Sequence, residues 1–256
     1  MLESFMKRAR GKVRRTLAAR LHRRELRLAG SRATVSFTFD DAPRTAFGAG
    51  AAILEAHGVR GTYFMSLGLL STTSEIGPIA EPGDLERAVE RGHELGCHTF
   101  DHRDAWYTDR GSYIASVDSN RVALQELLPG HAFHSFAYPK SGATAAVKPA
   151  LAQRFECCRG GGQTFNTGTI DLNLLSACFV DRRARVDLRF VSSLIERNAE
   201  AGGWLIFAAH DIAVGDTEFA CSTTFFENIV RRAVASGSRV LTVSAACKQL
   251  HLEAAA

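Results

Sequence analysis

Two adjacent carboxylates, Asp40 and Asp41, close an alternating stretch, Val35-Ser36-Phe37-Thr38-Phe39, just before Pro43 turns the chain. Acidic groups bunched where a buried strand surfaces must stay solvated or paired, so packing alone explains them poorly. Farther on, His98 and His102 stand four apart in the stretch that begins at Gly92. A helical turn there would put both imidazoles on one side. Late in the chain Trp204-Leu205-Ile206-Phe207-Ala208-Ala209 is another apolar run, ending on His210. Carboxylates and imidazoles at three strand ends read as one assembled metal site. Two imidazoles and one carboxylate leave open positions on a divalent ion, as a hydrolytic centre needs. Water bound there would lose a proton near neutral pH. Zinc is the expected ion, with cobalt or another divalent ion as the alternative.

Those residues need a scaffold that brings distant strand ends together. Strand-like segments at 34–39, 61–66, 94–98, 134–138, 155–158, 174–180, 204–209 and 239–243 alternate with helix-like segments at 47–57, 84–91, 112–128, 144–153, 187–200 and 223–236. Asp84 is a candidate N-cap, and Gly58 and Gly92 are candidate stops. Repeated β-α alternation predicts an α/β fold with a parallel sheet and helices outside it. Motif residues placed just after strands favour a barrel with its site at the carboxyl ends.

The chain has 256 residues, enough to bury one large core, and 46% hydrophobic with 23% charged residues is ordinary globular composition. Its net charge of +4 is unevenly spread. Residues 1–30 carry ten Lys or Arg against Glu3 and Glu25, whereas the rest carries 21 basic and 25 acidic residues. The body is therefore not expected to bind nucleic acid. Residues 2 to about 28 read as one amphipathic helix with Met6, Ala9, Val13, Leu17, Leu21 and Leu28 as its apolar stripe. It is expected either to pack on the outside of the domain or to make peripheral contact with an anionic membrane. The domain boundaries drawn are 1–30 for this extension and 31–256 for the catalytic domain. Six cysteines include the adjacent Cys157-Cys158 and no C-x-x-C, and no signal peptide or membrane span is evident, so free thiols in the cytoplasm are expected.

Thr38-Phe39-Asp40-Asp41, then His98-Thr99-Phe100-Asp101-His102, then Tyr138-Pro139-Lys140-Ser141-Gly142, then His210 appear in that order. The set resembles the polysaccharide deacetylases that share the NodB-type chitooligosaccharide deacetylase domain, carbohydrate esterase family 4, over about residues 33–247. The resemblance implies a distorted (β/α) barrel of about seven parallel strands. It implies Asp41, His98 and His102 as metal ligands, Asp40 as general base and His210 as the acid that protonates the departing amine. The backbone N–H of Lys140 would stabilise the oxyanion. Tyr138, Pro139 and Ala208 would line the substrate site. Ala208 stands where relatives carry an acetyl-pocket leucine, which could widen the pocket, or Phe207 and Ile212 could fill it.

Two departures qualify the resemblance. Ala137 stands where the third motif carries an arginine, which would leave Asp40 with less cationic support and a pKa higher than in arginine-bearing relatives unless Arg182 or Arg183 substitutes. No Asp-Trp pair matches the fourth motif. The activity expected is metal-dependent removal of N-acetyl groups from a glycan or oligosaccharide. A small-amide amidase on the same scaffold is the first alternative, and a weakly catalytic glycan- or membrane-binding module the second.

Overall fold

Helix α1 (Leu2–Arg20) and strand β1 (Glu25–Arg27) precede the central strand β2 (Thr34–Asp40). The structure is a computed structural model; it describes all residues except Met1, Ala29, Ser31, Val214, Asp216 and Ala256, and of residues 2–10 the helical backbone only. Alternation along β2 sorts its side chains onto two faces. Val35, Phe37 and Phe39 join the larger apolar cluster, where Phe37 stacks 5.6 Å from Phe207 and meets Phe226 edge-on at 5.7 Å. Ser36, Thr38 and Asp40 take the opposite face, where Ser36 accepts the Trp204 indole N–H at 3.0 Å.

The chain continues through α2 (Ala51–Ala56), β3 (Thr62–Met65), α3 (Pro82–Glu90), β4 (Glu94–Cys97), α4 (Arg110–Leu127) and β5 (Ser135–Ala137). Then come α5 (Lys148–Ala152), β6 (Cys157–Arg159), β7 (Thr169–Asp171), β8 (Cys178–Phe179), α6 (Leu188–Ala201) and β9 (Trp204–Ala209). Helix α7 (Thr223–Ala235), β10 (Arg239–Val240) and α8 (Val243–Ala254) complete it. Seven strands run parallel in the order β8-β9-β2-β3-β4-β5-β6, with β10 pairing to β2 off that path. The sheet curls into a half-barrel. A second apolar cluster, including Phe64, Ala137, Ile206 and Ala208, fills its other face.

Several expectations shift. The helix expected through residue 28 stops at Arg20, and His22 takes a left-handed φ of 51°. Glu25–Arg27 then pairs antiparallel with β7, and Leu26 and Leu28 enter the core. A boundary at residue 30 therefore leaves two core residues, Leu26 and Leu28, on the side of the extension. Among the described side-chain positions of α1, Gly11 and Ala18 are buried, while Val13, Leu17 and, just past its end, Leu21 are 57%, 45% and 44% exposed. The side chains of Met6 and Ala9 lie outside the described residues. The last expected strand shortens to Arg239–Val240, because Val243, Ala246, Cys247 and Leu250 form the buried face of α8. Glu81, not Asp84, is the N-cap of α3; Asp84 completes the capping box from the third helical position.

Candidate metal and catalytic site

Parallel strands bring their carboxyl ends to one rim, and the three clusters meet there. Asp40 ends β2, His98 follows β4 and His210 follows β9. The rim backbone is strained: Asp41, Ala42, Thr99, His102, Lys140 and Ser141 all hold φ between 51° and 62°. Each such non-glycine residue costs roughly 1–3 kcal/mol and persists only where its surroundings enforce it, typically at functional sites.

Asp41 Oδ1 lies 3.5 Å from His98 Nε2 and 3.2 Å from His102 Nε2. His98 Nδ1 is 2.8 Å from the Ala137 carbonyl, which can only accept, so Nδ1 carries the proton and Nε2 keeps its lone pair towards Asp41. Burial pushes the His98 pKa down to about 4 and lowers that of His102, so both rings are neutral and available as ligands. Asp41 Oδ1 is buried and accepts no hydrogen bond. An orphaned anionic oxygen facing two imidazole nitrogens suits a cation, and the three ligand atoms lie within 4.8 Å of one another. Asp41, His98 and His102 could hold a metal ion.

Asp40 is buried and forms an ion pair with Arg159, whose side chain is fully enclosed. Arg159 ends β6 and stands in register with Ala137 on β5. The cation missing at residue 137 therefore reaches Asp40 from the neighbouring strand at the same level. Small neighbours make room for it. A Cβ at Gly96 would lie 2.5 Å from the Phe64 ring, so glycine lets that ring settle with the Arg159 guanidinium 5.0 Å above its centroid. Burial alone would raise the Asp40 pKa, but Arg159, then His98 and His210, outweigh it and hold the carboxyl below its ordinary value. The expectation that Asp40 has less cationic support is corrected by Arg159, and so is the substitution by Arg182 or Arg183: Arg183 binds Asp181 instead, at 3.0 Å.

His210 Nδ1 lies 3.0 Å from Asp181 Oδ2. The carboxylate accepts, so Nε2 faces the cavity, 4.0 Å from Asp41 Oδ2. Phe179 stacks on the His210 ring at 5.8 Å and Phe219 meets it edge-on at 5.5 Å. Sequence reasoning missed Asp181; its one local signal is an acidic residue directly after the strand-like segment 174–180. Arg159 likewise follows the strand-like segment 155–158 directly, but nothing local points to its partner, 119 residues away.

A cavity of about 430 Å³ joins Asp40, Asp41, His98, His102, Lys140 and His210, with Phe179 and Phe219 as aromatic walls. Lys140 follows Pro139 in a tight turn at φ 55°. Tyr138, Pro139 and Ala208 are buried and do not line this cavity. The Tyr138 hydroxyl donates to the Asn173 carbonyl at 3.0 Å, and Ala208 packs in the inner cluster. Phe207 and Ile212 belong to the larger core cluster.

Residues 28–154 match the family model for polysaccharide deacetylases. The chain belongs to that family. The polysaccharide deacetylases are hydrolases of non-peptide carbon–nitrogen bonds that act on N-acetylated glycans. No curated protein matches the chain. Among solved structures, the chitin deacetylase of Colletotrichum lindemuthianum is 19% identical, with TM-score 0.61 over 87% of this chain and 89% of that one. Peptidoglycan deacetylase PdaC of Bacillus subtilis is 13% identical, with TM-score 0.57 over 87% and 93%. A pseudoenzyme of the same family from Bacillus anthracis is 13% identical, with TM-score 0.59 over 86% of this chain and 66% of that one. Fold and competence are therefore separable in this family, and the site residues must carry the function.

Proposed function

We propose that the protein removes N-acetyl groups from a glycan or oligosaccharide in a metal-dependent hydrolysis. The observation that supports this best is the pair of oriented groups around the Asp41–His98–His102 set: Asp40 held by Arg159, and His210 held by Asp181. A divalent ion bound there would polarise the acetyl carbonyl and ease deprotonation of water; two imidazoles and a carboxylate suit zinc. Asp40, kept ionised by Arg159, accepts the proton of the attacking water. The backbone N–H of Lys140 donates to the developing oxyanion. His210, with Nδ1–H fixed on Asp181, delivers a proton from Nε2 to the departing amine, which is a poor leaving group unless protonated. Phe179 and Phe219 shield that ring from water and give the acetyl group an apolar wall.

The six cysteines are all buried and free, which supports a reducing compartment such as the cytoplasm. No helix among the described residues is long and apolar enough to cross a membrane. The outward Val13, Leu17 and Leu21 stripe on a basic helix supports peripheral contact with an anionic lipid surface.

The test is acetate release from N-acetylated chitooligosaccharides together with elemental analysis. Wild-type protein should carry one divalent ion and release acetate, and His98→Ala should lose most of both. Full metal content in His98→Ala, or a loaded enzyme that releases no acetate from any N-acetylated glycan, would overturn the reading.

A further inference from the structure

A second cavity, about 540 Å³, opens beside the first. Ser141 lines both, and residues 161–163 pass between them, Gly161 and Gly162 in the second and Gln163 in the first. The passage depends on glycine: a Cβ at Gly161 would sit 2.9 Å from Ser141 Oγ, and Gly162 holds φ 141°. Part of the wall comes from α1 and the turn after it, through Arg15, Ala18 and Arg23. This face of the helix differs from the exposed Val13–Leu17–Leu21 stripe.

The lining suits a sugar with an acidic substituent. Thr167, Thr169 and Ser176 offer hydroxyls, and the half-buried Phe165 offers a ring face. Arg15 has its guanidinium 5.7 Å from the Trp106 ring and, among the described residues, pairs with no carboxylate. Arg23 pairs with Glu25 at 3.2 Å, itself well exposed, and donates to the Thr169 carbonyl at 3.4 Å; among the described residues it meets no other carboxylate. The acid in the wall, Asp171, is already neutralised by the buried Lys148 at 2.7 Å. The wall therefore presents net positive charge.

We propose that this cavity is a subsite for an acidic residue of the oligosaccharide whose N-acetyl group lies between Asp40 and His210. The chain would cross Ser141, and its carboxylate or phosphate would be met by Arg15 and Arg23, whose planar forks match either oxyanion. The inference rests on the deacetylase reading for what occupies the first cavity.

Calorimetry with His210→Gln protein, which slows turnover, reads the subsite directly. The probes are a neutral tetramer of N-acetylglucosamine, a tetramer alternating N-acetylglucosamine with a hexuronate, and a phosphate-bearing tetramer. At low salt one acidic tetramer should bind about tenfold tighter than the neutral one, and which of the two does so separates carboxylate from phosphate. Adding Arg15→Gln with Arg23→Gln should abolish that advantage, whereas Arg231→Gln, exposed on α7, should leave it intact. Equal affinity for all three tetramers, or an advantage that survives the double substitution, overturns the subsite. Failure of the deacetylase reading looks different: the acidic preference persists in binding while wild-type protein releases acetate from no tetramer.

Discussion

Asp40 and Arg159 are each enclosed by protein, and each is the other's compensation. Removing one partner of a buried pair leaves an unbalanced charge and costs about 3–5 kcal/mol. Arg159→Met should therefore lower stability by that order. It should also raise the Asp40 pKa, because the cation that favours the charged form is gone. The acidic limb of the pH–rate profile should then move up by about one to three pH units, the effect of an adjacent opposite charge. Arg159→Met combined with Asp40→Asn should recover much of the stability and none of the activity. An Arg159→Met enzyme with an unmoved acidic limb would show that Asp40 is not the base. The five motif residues were legible in sequence because each lies within a short run that ends a strand. Arg159 and Asp181 were not, since what places them is register between strands and a contact across the rim, which local spacing does not encode.

Helix α1 shows the same limit for elements. Its periodic pattern runs on past Arg20, but Lys148 takes the carbonyls of Ala18 at 2.6 Å and Leu21 at 2.9 Å, closing the helix end with a buried ammonium. The following strand is only three residues long, too short for a period of two to declare itself. Deleting residues 1–28 should therefore depress the melting temperature, because it strips Lys148 of two acceptors and removes Leu26 and Leu28 from the core. The outward stripe makes a separable prediction. Changing Val13, Leu17 and Leu21 together to serine touches exposed side chains and should leave the melting temperature nearly unchanged. The same triple change should weaken sedimentation with anionic vesicles at low salt by removing the apolar surface that would enter the lipid interface. If wild-type protein does not sediment with such vesicles, the stripe serves no lipid contact.

At the scale of the molecule, β-α alternation was readable because each strand and helix buries its own face, whereas curvature and an open edge arise only when strands pair. The half-barrel also places neutral histidines at both ends, and this gives its stability a pH signature. At the amino end of the strands, His93 Nδ1 accepts the Gly61 N–H at 3.0 Å and Nε2 lies 3.1 Å from Glu55. A proton on Nδ1 would break the first bond, and burial lowers the His93 pKa. At the rim, burial lowers His98 to about 4. For both groups the unfolded chain binds a proton more readily than the folded one, so stability rises with pH across the window between the two pKa values. Their contribution is complete above about pH 6.5, the ordinary histidine value, and fades as pH falls below it. Glu55 and Asp40, held below their ordinary values, act with the same sign but only at lower pH. Metal-free protein should thus lose melting temperature between pH 7 and pH 5, before the carboxylates begin to titrate. His93→Gln, which removes one of the titrating rings, should start from a lower melting temperature and show a shallower slope over that interval. A melting temperature that stays level from pH 7 to pH 5 in the wild type would mean that the fold does not hold these rings neutral.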